Sequence, residues 1–346
     1  MGTMNALVLH GANDLRYETR SQPECREHEV VIRVKACGIC GSDLPRALEG
    51  KVHFFPIVLG HEFSGEVAAI GQNVSSVQVG DRVTGAPLLP CMHCDNCRSG
   101  RPALCNHYSF IGSRKNGAMA EYVAVPEQNV LKLPDEVDDL EGAMIEPLTV
   151  ALHGIERVNI PAGSECMVFG AGTIGLLTLQ CLKARGAAHV IMVDIVQSKL
   201  DLAKKLGADE IVNPLHTSLE EYFSHRDLPE VIIETAGTPA TQKQSVEFAR
   251  KQGKVVFVGT AKKDVVLPPA TFEKILRGEL EVTGSWMSYS TPFPGYEWKT
   301  AIQYVKQGRV QLKPLLAKTY RLQEGLTAFQ EMVENQLAGS KYIFTI

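Results

Sequence analysis

The motif Gly170-Ala171-Gly172-Thr173-Ile174-Gly175 lies between an apolar run, Cys166–Phe169, and a stretch of helical periodicity, Ile174–Arg185. Gly-x-Gly-x-x-Gly is weak alone, because glycine is common in turns. After a strand and at the head of a helix it marks a βαβ dinucleotide site. Gly170 permits the tight turn, Gly172 lets a pyrophosphate approach the backbone, and Gly175 allows close helix–strand packing. The helix start at Thr173 and Ile174 offers unpaired N–H groups and the positive dipole end to phosphates.

Alternation continues downstream. Strands are expected at 190–193, 210–212, 231–234, 255–258 and 280–283, with helices at 198–206, 219–225, 241–250 and 271–277. This order predicts an α/β fold with a doubly wound parallel sheet and helices on both faces. Asp194 follows the second strand, nineteen positions after Gly175. A carboxylate there accepts hydrogen bonds from a ribose 2′-OH and repels a 2′-phosphate, and Ile195 follows it rather than an arginine. The expected cofactor is therefore NAD rather than NADP. Lys199 is the cation near this site, and a solvated helix face is its simpler reading. The rival for the whole region is a Rossmann-like domain that binds no nucleotide.

The N-terminal part reads differently. Glu29–Ala36 alternates and is rich in Val and Ile, and 65–70 and 81–84 are similar, so all three are expected strands. Residues 86–117 form a long Cys-, Gly- and Pro-rich loop, a length that requires a function or a staple. Cys91, Cys94, Cys97 and Cys105 provide one: C-x2-C-x2-C-x7-C suits a tetrahedral structural zinc. An Fe–S cluster or free thiols are the rivals, and His93 stands inside the motif as a bystander. A helix is expected at Leu148–Val158. A chain of 346 residues exceeds one typical core, so two domains are expected: 1–150 with 290–346, and 151–289.

Nine cysteines, an odd count, do not suggest a secreted disulfide framework. Cys166 and Cys181 read as buried thiols. Net charge is −4 without a basic run, which argues against nucleic acid and against an electrostatic membrane anchor. The chain has no bilayer-spanning apolar stretch and no signal-peptide core near Met1, so a cytoplasmic location is expected, with Met4 an alternative start.

Cys40, His61 and Glu146, with Glu62 beside His61, supply the ligand types of a catalytic zinc, which keeps an open coordination position. Spacing does not bring them together; only a fold does. Taken singly, Cys40 is a buried thiol, His61 a core histidine and Glu146 a helix N-terminal charge.

Cys40-Gly41-Ser42-Asp43, Gly60-His61-Glu62, the four-cysteine loop, Glu146-Pro147 and the glycine fingerprint occur in this order in the zinc-dependent medium-chain dehydrogenase/reductase superfamily. The chain resembles that superfamily over essentially its whole length. Residues 42–46, 87–91, 110–114 and 284–287 resemble its polyol-phosphate dehydrogenases; sorbitol and threonine dehydrogenases typically lack these stretches. The resemblance implies a GroES-like β-rich catalytic domain beside the Rossmann domain, two zinc ions per chain, and a homodimer or homotetramer. The expected edge strand at 280–283 invites subunit pairing. It implies that Cys40, His61 and Glu146 hold the catalytic zinc, with Glu62 a ligand that swings in or a neighbour of the ligands. Ser42 is implied to bond the substrate hydroxyl. Relatives often carry a proton-relaying histidine where this chain has Pro45. The implied substrate is a small polyol phosphate whose secondary hydroxyl is oxidised; an unphosphorylated polyol, a sugar acid or threonine is the alternative. Arg46 and Arg114, with Lys115, are the candidate phosphate cations. Trp286 reads as pocket or interface, and His53, Phe54 and Phe55 as pocket wall or core.

Overall fold

The computed structural model describes residues 2–334 and 341–346. Met1 and residues 335–340, inside the C-terminal segment expected to return to the catalytic domain, lie outside the described residues.

The strand Glu29–Ile39 organises the first half. It pairs antiparallel with Glu62–Ile70 on one side; on the other, Tyr122–Pro126 and Lys341–Thr345 follow one another along it. The strand runs three residues past the expected Ala36, because Cys37, Gly38 and Ile39 find partners in the C-terminal strand. Its partner begins at Glu62 rather than Gly65, because Glu62 and Phe63 pair with Gly38 and Cys37. Arg82–Gly85, Val130–Lys132 and Leu316–Arg321 complete this sheet. A smaller sheet joins Asp14–Ser21, Thr3–Gly11 and Ile57–Val58. Phe54 and Phe55 lie in bends before that last strand and are 41% and 44% exposed, so they are not core residues.

The second half is a six-stranded parallel sheet, ordered Glu210–Val212, His189–Val193, Glu165–Phe169, Val231–Glu234, Lys254–Phe257, Glu281–Gly284. The order reverses beside Glu165–Phe169, where a doubly wound sheet opens a crevice for a dinucleotide. Glu281–Gly284 is an edge strand, as expected. Alternating apolar residues of the central strands divide between two cores: Cys166 and Val168 face one, Met167 and Phe169 the other. Cys166 and Cys181 are buried, and burial pushes the Cys166 thiol up to about 12.

Helix boundaries move where capping chemistry decides. The helix expected from Leu148 is Ile145–Ile155, because Pro147 fits the first turn, where no intrahelical N–H is lost. The helix expected at 241–250 is Pro239–Glu247; Thr238 caps it with Thr241 and Pro239 opens it. The one expected at 219–225 is a single turn, Leu219–Tyr222. Nor is 86–117 bare loop: Leu88–Leu89 pairs with Ser109–Phe110 around the short helix Asp95–Arg98.

Ile145–Ile155 shares one core with the helices Thr173–Ala184 and Tyr296–Lys306 through Leu148, Leu152, Leu176, Leu179 and Trp298. Each such side chain contributes about 1.5–3 kcal/mol when fully buried. The result is a fixed platform for Glu146. Among the described residues no helix is long and apolar enough to cross a membrane.

Candidate active site

Sheet register assembles the first site. Gly38 pairs with Glu62 and Ile39 with Tyr342. Cys40, just past one strand, therefore meets His61 and Glu62 at the start of the second and Lys341 at the start of the third. Ligand atoms of Cys40, His61 and Glu62 lie within 4.8 Å of one another. Gly60 has φ +94°, and a Cβ there would lie 2.6 Å from Cys37 Sγ, so only glycine delivers His61 this way.

Neighbouring groups hold these residues. Buried Asp43 accepts from Cys40 N at 3.1 Å, and its other oxygen lies 3.6 Å from His61 Nδ1. That 3.6 Å separation is too long for a hydrogen bond, and His61 Nδ1 is buried without a partner, which suits a nitrogen turned toward a metal. Ser42 Oγ donates to Cys40 Sγ at 3.2 Å. Arg46 Nη1 donates to Asp43 Oδ1 at 2.9 Å and to Ser42 Oγ at 3.1 Å. Lys341 is buried, donates to Ile39 O at 3.0 Å and forms an ion pair with Glu62. Phe110 meets the His61 ring edge-on, 5.5 Å between centroids.

Glu146, in the first turn of its helix, stands outside the 4.8 Å group but is buried and electrostatically coupled to it. Burial pushes its carboxyl up to about 8; the His61 charge opposes this, and Glu62 and Cys40 add to it. Burial, followed by Glu62 and Asp43, pushes the Cys40 thiol up to about 11. A bound dication would favour the ionised forms of Cys40 and Glu146; with Asp43 and Glu62 ionised too, the four would outweigh Lys341 and Arg46 by two charges. A dication neutralises that excess, and the thiol, imidazole and carboxylate donors suit zinc.

The second cluster is the cysteine quartet, with all four sulfurs within 4.8 Å of one another. The cysteines are free of disulfides. Backbone N–H groups of Cys91 and His107 point at Cys105 Sγ, at 3.3 and 3.4 Å, and that of Cys94 at Cys91 Sγ, at 3.4 Å. Such donors favour thiolates. Backbone donors at Cys97 and Asn106 bring the Cys94 thiol down to about 6, whereas burial and the neighbouring thiols push Cys97 up to about 12. His93 is outside the group, with Nδ1 bonded to Cys91 O. Four convergent thiols fit a closed, structural zinc.

At the dinucleotide crevice Gly170 has φ +91°, and a Cβ on Gly175 would lie 1.7 Å from Gly170 O. Gly172 caps the Thr173–Ala184 helix, so Thr173 and Ile174 form its first turn. Asp194 braces this turn. Its two oxygens accept from Ala171 N at 2.6 Å and Val196 N at 2.8 Å, stapling the glycine turn to the next strand. Lys199 is half-buried on the Gln197–Lys205 helix.

The substrate candidates separate. Arg46 joins the Cys40 cluster through Ser42 and Asp43. Arg114 is exposed, its guanidinium 4.5 Å from the Tyr108 ring centroid, and its N–H bonds Phe110 O. Lys115 is committed to Glu29 at 3.0 Å. Trp286 lines a cavity bordered by the cysteine loop, and none of Cys40, His61, Glu62 or Glu146 lines it. Sequence reasoning missed Asp43 and Lys341. Asp43 belongs to the quoted Cys-Gly-Ser-Asp run; Lys341 carried no signal, being distant in sequence and on a strand.

Residues 26–135 match the alcohol dehydrogenase GroES-like domain family, and 173–307 the zinc-binding dehydrogenase family. Galactitol 1-phosphate 5-dehydrogenase of Escherichia coli K12 is 41% identical over 321 residues, 92% of this chain and 93% of that one. Sorbitol dehydrogenase of Bacillus subtilis is 32% identical over 339 residues, 96% of this chain and 94% of that one. The crystal structure of galactitol-1-phosphate dehydrogenase from Escherichia coli superposes with a TM-score of 0.94 at 39% identity, covering 99% of this chain and 100% of that one.

Proposed function

The chain belongs to the zinc-dependent medium-chain alcohol dehydrogenase family, and from that premise we propose that it oxidises a secondary hydroxyl of a polyol phosphate with NAD as hydride acceptor. The substrate we favour is galactitol 1-phosphate, giving tagatose 6-phosphate. The reading rests on one observation: Cys40, His61 and Glu62 converge beside Glu146, with the Ser42 hydroxyl 3.2 Å from the Cys40 sulfur. The substrate preference is supported by the 41% identical galactitol 1-phosphate 5-dehydrogenase.

Zinc, when bound, lowers the pKa of the substrate hydroxyl, and NAD accepts the hydride. Cys40, His61 and Glu146 are the proposed ligands of that zinc, with Glu62 held back by Lys341. Cys91, Cys94, Cys97 and Cys105 hold the structural one. Ser42 takes part in removing the hydroxyl proton, passing its own hydroxyl proton on as it accepts; its geometry is set by Arg46, which donates to it and, as a guanidinium, accepts nothing. Pro45 has no titratable side-chain nitrogen, so the proton leaves through water or the cofactor ribose. The secondary alcohol thus loses a hydride and a proton and becomes a ketone. Asp194 selects NAD at the ribose, and the glycine turn takes the pyrophosphate.

Arg46 is held by Ser42 and Asp43, and Lys115 by Glu29, which leaves Arg114 as the cation for a phosphate ester. Residues 1–150 with 290–346 form the catalytic unit in this reading, and 151–289 the cofactor unit. The enzyme works in the cytoplasm as a homodimer or homotetramer. A second reading, oxidation of a free polyol, is favoured by the 32% identical sorbitol dehydrogenase. Steady-state kinetics with NAD on galactitol 1-phosphate and on galactitol separates the two. Higher kcat/KM for the ester, with a KM that rises in Arg114→Ala for the ester alone, is the expected result. Equal kcat/KM for both compounds would remove the phosphate from the proposal.

A further inference from the structure

The cavity beside Trp286 has a second, unassigned chemistry. About 390 Å³ in volume, it lies between the cysteine loop at Gly100–Leu104, the end of the Ile145–Ile155 helix and the segment after the edge strand Glu281–Gly284. Arg101 and Arg157 both line it, and neither forms an ion pair among the described residues. Glu156, the acid next to Arg157, is paired instead with Arg185. Arg157 uses Nε on Gly284 O at 3.2 Å, which fixes its stem and leaves its terminal nitrogens for a ligand.

A buried polar network closes the cavity from beneath. His153 and Ser290 line it, and both bond to Glu297, whose side chain is buried: His153 Nδ1 lies 2.8 Å from Oε1, and Ser290 Oγ donates to Oε2 at 2.7 Å. Glu297 itself is not part of the lining. Its two oxygens are satisfied within the network. The cavity therefore combines two guanidiniums without an ion pair, an imidazole anchored through Nδ1 to Glu297, and an exposed indole.

We propose that this cavity is a second small-molecule site, separate from the zinc cluster, that binds a phosphate group, either as inorganic phosphate or on a small ester. Each guanidinium can meet two oxygens of a phosphate in bidentate fashion, which a lysine ammonium does not. An occupant ties the cysteine loop to the helix that carries Glu146, seven residues before His153.

Tryptophan fluorescence reads the site directly. The chain has two tryptophans; Trp286 is 53% exposed on the cavity, and Trp298 is fully buried. Titrating the zinc-loaded enzyme with inorganic phosphate, and in a second arm with glycerol 3-phosphate, should change the emission saturably. Trp286→Phe should abolish the change. Arg101→Gln and Arg157→Gln should each weaken binding about tenfold, the loss of a hydrogen bond to a charged group, while kcat and KM for the polyol stay unchanged. A response to the ester alone assigns the site to esters; a response to both assigns it to the phosphate group. Emission that ignores both compounds at millimolar concentration overturns the proposal, as does an undiminished response in the two arginine variants. Both arginines are exposed, so each variant is expected to fold.

Discussion

Arg46 reaches the Ser42 hydroxyl at 3.1 Å with the same nitrogen that holds Asp43 at 2.9 Å. One guanidinium thus orients the residue proposed to take the proton and the carboxylate behind His61. Removing it disturbs a geometry that matters most in the transition state. We expect Arg46→Ala to lower kcat about tenfold or more, with kcat/KM falling in step for phosphorylated and free polyols alike. Arg46→Lys should recover part of the loss. A rise in KM confined to the phosphate ester, at constant kcat, would show that Arg46 clamps the phosphate instead.

Lys341 and Glu62 form a buried ion pair at the end of the sheet ladder. Breaking such a pair strands a charge without solvent, at a cost of about 3–5 kcal/mol. Lys341→Met should lower stability by that order in urea unfolding of the zinc-free protein, where metal ligation cannot hide the effect. Glu62→Gln in the same chain should restore much of it, because the stranded charge is then gone. Additive losses in the double variant would show that the two residues act independently.

The sequence exposes the dinucleotide crevice more fully than the metal cluster, for a physical reason. Gly170, Gly172, Gly175 and Asp194 lie within one βαβ unit, so local periodicity places them. Cys40, His61 and Lys341 come together through the antiparallel register of three strands, which no local pattern encodes. Lys341 is the extreme case, 301 positions from Cys40. Family resemblance supplied the ligand set that spacing could not. Arg46 and Lys115 looked like free cations because ion pairing across a sheet, or one helical turn back, is invisible to composition.

Asp194 has two tasks that mutation can separate. Its oxygens bond the backbone N–H groups of Ala171 and Val196, and its charge repels a 2′-phosphate. Asp194→Ala should weaken NADH binding about tenfold or more, since each lost bond to a charged acceptor is worth about 1.5–3 kcal/mol. Asp194→Asn keeps acceptor geometry on one side and should mainly narrow the preference for NADH over NADPH. Fluorescence titration with both cofactors checks this. Tighter NADPH than NADH binding in the unaltered chain would contradict the assignment.

Glu234 gives a pH dependence away from both metal clusters. Burial raises its carboxyl pKa, against hydrogen bonds from Thr241, Gly237 and Ala236 that lower it. Its Oε2 is buried without a partner. A raised folded-state pKa means that the folded protein holds this proton more tightly than the unfolded chain. The group therefore favours folding at low pH, and that contribution is lost as pH rises from the unfolded pKa through the folded one. Glu234→Gln removes the ionisation. Its melting temperature relative to the unaltered chain should be more favourable at pH 7 than at pH 4. A difference that is the same at both values would show that Glu234 does not titrate differently on folding.

The two cysteine clusters should separate cleanly on metal removal. The quartet folds a loop around its own sulfurs, and binding energy at a structural zinc site becomes folding energy. Cys97→Ser should therefore yield one zinc per chain by metal analysis and a clearly lower melting temperature. Cys40 is different: it is half-buried just past the end of a strand, so a serine of nearly the same size is an adequate replacement in the fold. Cys40→Ser should also lose one zinc and all measurable turnover, yet melt close to the unaltered chain and still bind NADH. Because the two variants lose different ions, the double variant should contain none. If Cys40→Ser kept full activity, or if Cys97→Ser kept both ions, the assignment of chemistry to the sheet end and bracing to the loop would fail.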